Sequence, residues 1–284
     1  MVVQHNLQAA NTNRMLGANV KAVSKSTEKL SSGYQVNRAA DDAAGLSISE
    51  KMRNQIRGIN QSVKNAEDGV SLIQTAEGNM SEIHSILQRM GELATKAAND
   101  VNASVDRKAI QDEIGELAKE IDSISTKAAF NGTKLLNGTF SDKQLQVGAV
   151  AGENMAITIS SMSATRLFGA KGSVIAGNTS TSGGKLNMFS HASASSAMSL
   201  ITSAIKTVSA ARSLLGAKQN RLEYTIDNLE NYSENLTSAE SQIRDTDMAT
   251  EMTNYTKNNI LQQAAQSMLA QANQSTQGVL SLLQ

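Results

Sequence analysis

The sequence predicts a mainly α protein: a long antiparallel, coiled-coil-like helical bundle that carries one or two small β-hairpins. Three observations predict it. Stepping by sevens from Ile201 gives Val208, Leu215, Leu222, Leu229, Leu236 and Ile243, all apolar, the signature of a helical seam. The chain has no proline, where average usage would give roughly fourteen, so nothing interrupts a helix by force. Aromatic residues are only 3%, a shortage that packing by Leu, Ile, Val, Met and Ala tolerates.

In chain order, Leu16, Val20, Val23, Thr27 and Leu30 space a thin apolar stripe on a first helix. Val3, Leu7 and Ala10 continue it weakly upstream. It should stop at Ser31-Ser32-Gly33. The pattern is lost from Gly33 to Gly45, and Asp41 or Asp42 is expected to cap the helix that begins near Ala43. A second helix, about 45–99, carries Met52, Ile56, Ile59, Val63, Ala66, Val70 and Ile73. It continues after a three-residue step beside Gly78 as Ala76, Met80, Ile83, Leu87, Met90, Ala94 and Ala97, a step that should overwind the seam locally. A third, about 105–128, carries Ile110, Ile114, Leu117, Ile121, Ile124 and Ala128.

Between about 130 and 175 the turn pairs Asn131-Gly132 and Asn137-Gly138 and the alternations Leu145/Val147 and Met155/Ile157/Ile159 predict the hairpins. Gly, Ser, Thr and Asn then predict a flexible surface loop, about 169–190. The fourth helix, about 193–243, would be roughly 60 Å long and needs long partners. Met52 to Ala97 and Ile110 to Ala128 match its period, so its seam reads as intramolecular. The companion row Ile205, Arg212, Gln219, Ile226, Ser233 and Glu240 is mixed and belongs at the bundle edge, satisfied by water or a neighbouring subunit. Arg244-Asp245-Thr246-Asp247 breaks the periodicity, and Leu261, Ala265, Met268, Ala272, Val279 and Leu282 mark a final helix. Both chain ends therefore carry amphipathic helices without a core of their own, which asks for a partner.

Net formal charge is zero and the basic residues are scattered, so neither a nucleic acid nor an anionic membrane is an expected partner. No apolar run approaches the roughly 20 residues of a membrane span. Met-Val-Val-Gln-His-Asn-Leu lacks the charged and apolar regions of a signal peptide, which taken alone reads as cytoplasmic. Without cysteine, disulfides and thiolate metal sites are excluded. His5, His84 and His191 lie in separate segments with no second ligand at metal spacing, so no enzyme, metal or cofactor is expected. Met52, Met80 and Met90 read as core, and the two Asn-Gly-Thr strings as turns rather than glycosylation sites.

The strings Arg38-Ala39-Ala40-Asp41-Asp42-Ala43-Ala44-Gly45-Leu46, Ile73-Gln74-Thr75-Ala76-Glu77-Gly78, Phe130-Asn131-Gly132-Thr133-Lys134-Leu135-Leu136 and Ile260-Leu261-Gln262-Gln263-Ala264, with others through both terminal thirds, resemble bacterial flagellin. The resemblance implies a D0 domain from residues 1–43 and 245–284 and a D1 rod from 44–244, with outer domains nearly absent. It implies a secreted, extracellular filament subunit whose partners are itself in a helical homopolymer, an export chaperone on the C-terminal helix, and flagellar cap and junction proteins. Polymerisation would use Leu7, Leu16, Val20, Val23, Ile260, Leu261, Met268, Val279, Leu282 and Leu283. It further implies a patch of Gln88, Arg89, Glu92, Leu93 and Glu113 that contacts neighbouring subunits and is read on monomers by an animal Toll-like receptor. The chain departs from similar flagellins at Gly91, where they usually have Arg, so receptor binding is expected and no claim of signalling is made. A hook-filament junction protein and a cytoplasmic coiled-coil scaffold are the alternatives.

Overall fold

The computed structural model describes residues 6–169 and 186–281, with side chains up to 275. The helices are α1 (Leu7–Ser32), α2 (Ala43–Ala97), α3 (Ser104–Lys127), the single turn α4 (Ala164–Leu167), α5 (His191–Arg244) and α6 (Met248–Ser281). Four short strands stand between α3 and α4: β1 (Ala129–Phe130), β2 (Thr133–Lys134), β3 (Lys143–Gln146) and β4 (Asn154–Ile157). They form two antiparallel hairpins, β1 with β2 and β3 with β4. The chain divides into two compact units, Met1–Ile56 with Glu234–Gln284 and Arg57–Ser233. The expected breaks at 43/44 and 244/245 both fall inside the terminal unit.

The central unit holds one contiguous apolar core. α2 runs unbroken past Gly78, and residues from both phases of its apolar row, Ala66 and Ile73 before the step and Ala76 to Ala97 after it, are buried. Before the step the buried row passes through Ser62 and Gly69, leaving Val63 and Val70 half-buried. The Ser62 hydroxyl is satisfied by the Gly58 carbonyl at 2.9 Å. A Cβ on Gly69 would collide with Leu145, so the glycine admits that side chain against α2. On α3 the buried set includes Gln111, Ala118 and Ser125, while Leu117 and Ile124 are half-buried.

The β region folds back by local chemistry. Asn131 and Gly132 take φ of 46° and 78°, as the two central residues of a I′ hairpin turn must. The Asn137 side chain accepts from the Thr139 amide at 3.0 Å, an Asx turn. Ser125 donates to the Leu136 carbonyl at 2.8 Å, and Lys218 of α5 donates to the Ala156 carbonyl at 2.6 Å, holding β4 to that helix. Of the expected flexible loop, 170–185 lies outside the described residues. At its end, however, Leu186 and Met188 are buried in the core rather than on the surface. Gln111 is the reason: its amide donates to the Leu186 carbonyl at 2.9 Å and accepts from the Met188 amide at 2.8 Å, so these two backbone groups stay satisfied on burial.

In the terminal unit α1 and α6 pack side by side. Asn6 reaches the Ala272 carbonyl at 3.1 Å, and Lys29 approaches Glu251 at 3.8 Å, so the pair is antiparallel. α1 ends at Gly33, φ 77°, whose amide returns to the Lys29 carbonyl at 2.8 Å. Asp42 caps α2, accepting from Ala44 and Gly45 amides at 3.0 and 2.9 Å. Asp41 instead closes the loop before it, accepting from Asn37 and Arg38 amides and pairing with Lys25 at 2.9 Å.

Candidate functional site

The side of α1 turned inward is mostly small or polar: Asn6, Ala9, Thr12, Leu16, Asn19, Val23, Ser26 and Leu30 are buried or half-buried. Its counterpart on α6 runs Glu251, Tyr255, Asn258, Gln262, Ala265, Leu269 and Ala272 at alternating spacings of four and three. Large apolar side chains stand on the outside. Leu7 is 74% exposed, Ile260 60% and Met268 56%, with Val20 and Leu261 also exposed. The pair is thus inside out relative to an ordinary amphipathic hairpin, in which the wide apolar stripe is the buried one.

Of the residues expected to polymerise, Leu7, Val20, Ile260, Leu261 and Met268 lie on this outer face, whereas Leu16 and Val23 are half-buried on the inward one. Val279 belongs to α6 with its side chain outside the description, and Leu282 and Leu283 lie outside the described residues. The sequence reading missed Met15, Met248 and Met252, all exposed. A second apolar stripe offset from Leu16-Val23-Leu30 was the available signal.

Local capping fixes the start of α6. The Asp247 carboxylate accepts from the Ala249 and Thr250 amides at 2.9 and 3.2 Å and from the Thr250 hydroxyl at 2.8 Å. These bonds, the hydroxyl first, hold its pKa below the usual carboxylate range. A backbone clasp lies beside it: the Gln35 amide donates to the Arg244 carbonyl at 2.7 Å, and the Thr246 amide to the Gly33 carbonyl at 2.9 Å. The Arg244 guanidinium stacks 4.6 Å over the Tyr34 ring and bonds Glu50 at 3.2 Å.

On the central unit, Gln88, Arg89, Glu92 and Glu113 are exposed and stand together. Arg89 gives Nε and Nη2 to Glu113 Oε1 at 3.2 and 3.0 Å and Nη1 to Glu92 at 3.2 Å. Glu113, then Glu92, raises the guanidinium pKa. Gln88 sits 3.2 Å from the His84 ring. Leu93 does not join them. It is 4% exposed, because it continues the row Ile86, Met90, Leu93, Ala97 that turns into the core.

The rod seam divides. Ile201, Val208, Leu215 and Leu222 are buried in the central core and Leu229 is half-buried; in the terminal unit Leu236 and Ile243 are half-buried. Two of its polar companions find partners within the chain: Arg212 bonds Glu77 at 3.3 Å and Ser233 bonds Asn60 at 3.0 Å. Among the described residues no cluster of His, Cys, Asp or Glu has the makings of a metal site, and no helix is long and apolar enough to cross a membrane.

The bacterial flagellin N-terminal helical region matches residues 3–141, and the C-terminal helical region matches residues 198–283. Flagellin of Halalkalibacterium halodurans is 50% identical over 283 residues, and flagellin of Bacillus subtilis 49% over 304, each alignment covering 100% of both chains. A flagellar filament 30.7 kDa core protein of Treponema maltophilum is 44% identical over 292 residues, again over 100% of both. With both helical regions matched and relatives of half identity along the whole length, the chain belongs to the bacterial flagellin family.

Proposed function

We propose that this chain is a structural subunit that is exported and then polymerises into the flagellar filament that drives motility. The observation that carries this reading is the inverted terminal pair: α1 and α6 meet mostly through small and polar residues, with Leu16, Val23, Leu30 and Leu269 the larger apolar ones, and leave Leu7, Val20, Ile260, Leu261 and Met268 for other copies. Terminal helices with so little apolar seam are marginal alone and order fully when neighbours cover them. A heterologous contact that does not close then yields a helical tube. The same exposed face explains an export chaperone on the C-terminal helix, and cap and junction proteins at the filament ends.

Deleting Asn259 to Gln284 tests it. Electron microscopy of the truncated protein should show no filaments while circular dichroism still reports a helical central unit; normal filaments would overturn the reading. Filaments grown from the purified full chain also separate a bulk subunit from a junction protein, which adapts rather than polymerises. On monomers, the exposed group of Gln88, Arg89, Glu92 and Glu113 is the surface an animal Toll-like receptor would bind. What is proposed is binding alone, with no claim of signalling, because Gly91 stands where similar flagellins usually have Arg. A pull-down with purified monomer reads it out, and no capture would refute it.

A further inference from the structure

The turn joining α2 to α3 is built firmly and yet gives two valines to solvent. Arg107, whose side chain is 12% exposed, donates to the Asn99 carbonyl at 3.2 Å, to the Asp100 carboxylate at 2.9 Å and to the Phe189 carbonyl at 3.2 Å. The Val101 amide is held by the Asn99 side chain at 3.2 Å. Val101 is nonetheless 89% exposed and Val105, in the first turn of α3, 75%. Such a turn holds apolar side chains out at low entropic cost when they are later covered.

The same unit has an open apolar crevice of about 230 Å³ between α2 and the β-hairpins, lined by Leu72, Phe130, Phe140, Leu145 and Ile157. Asp68 and Lys143 flank it, both exposed. A charge of each sign also flanks the valines, in Asp100 and Lys108. Along α2 the crevice at Gly69 lies roughly 42 Å from Ala97, where the helix gives way to the turn, so one chain cannot fill its own crevice.

We infer that the α2–α3 turn of one subunit inserts Val101 and Val105 into the Leu72–Phe130–Phe140 crevice of the next copy. This inference rests on the polymerising reading above and names the surfaces that join consecutive central units. Knob and socket occupy different surfaces of one chain, so each added copy presents a fresh socket, and the contact propagates instead of closing on itself. Asp100 and Lys108 meet the opposite charges Lys143 and Asp68, which fixes orientation more than it adds affinity.

The chain has no cysteine, so engineered thiols report the contact cleanly. In filaments of a Val101→Cys, Gln144→Cys double variant, air oxidation with a copper catalyst should join thiols pairwise into disulfides, O₂ taking up the two hydrogens. A ladder of covalent oligomers is expected on a non-reducing gel, and no crosslink from either single variant. Filaments without a ladder overturn the inference and leave the filament reading standing, and dimers from the Val101→Cys variant alone overturn it in favour of a closed, symmetric contact. Failure of the unsubstituted chain to form filaments sinks both. Independently, Val101→Asp with Val105→Asp should raise the concentration needed for assembly by at least about tenfold at unchanged helicity, and unaltered assembly would refute the contact.

Discussion

Gly91 sits mid-helix in α2, where a Cβ would rest 3.8 Å from Ile201 Cγ2, an ordinary contact. Gly91→Ala is therefore expected to stabilise the protein by about 1 kcal/mol, seen as a higher urea midpoint at constant slope; a lower midpoint would mean that α5 cannot accept the methyl. On α3, adjacent residues should separate recognition from folding. Glu113→Ala removes an exposed partner of Arg89 and should leave the urea midpoint nearly unmoved. Ile114→Ala empties a fully buried position and should cost about 2–5 kcal/mol. Ile110, Ile114 and Ile121 were legible from spacing alone. Gln111 and Ser125 were not, because each is satisfied by backbone outside its own helix, at Leu186 and Leu136, and helical periodicity carries no record of such partners.

At the scale of helices and hairpins, the ends were easier to read than the faces. Gly33, Asp42 and Asn131-Gly132 act through chemistry confined to a few neighbouring residues, and each terminates, starts or turns an element where its type demands. Val70 gave way to Gly69 because Leu145 arrives from a distant hairpin. Asp247 and Asp41 carry a pH dependence for the terminal unit. Asp41 is lowered chiefly by its bond from Lys25 and then by the Arg38 amide, and Asp247 by the Thr250 hydroxyl and amides. Since the folded pKa of each lies below its unfolded value of about 4, their stabilisation is complete above that value and drains away as pH falls through the lowered ones. Helical ellipticity should therefore drop as the pH is taken below about 4. An Asp41→Asn, Asp247→Asn pair should flatten that step, and an unchanged step would assign it to other carboxylates.

For the molecule as a whole, the division of labour lies between a central unit that buries its own apolar residues and a terminal unit that withholds them. The resemblance pointed to terminal helices that assemble, but stripe counting alone assigned Leu16 and Val23 to the same face as Leu7 and Val20. Which stripe turns inward depends on the partner helix, and that choice is tertiary. The outward face also has a thermal consequence. Covering Leu7, Ile260, Met268 and their neighbours removes hydrocarbon from water, so assembly should carry a negative change in heat capacity. Its enthalpy, measured by titration calorimetry at several temperatures, should fall steadily as temperature rises, and a flat line would mean that polar contacts dominate. Near room temperature such burial is driven by water entropy and weakens on cooling. Chilling should then shorten the filaments, and rewarming should restore them.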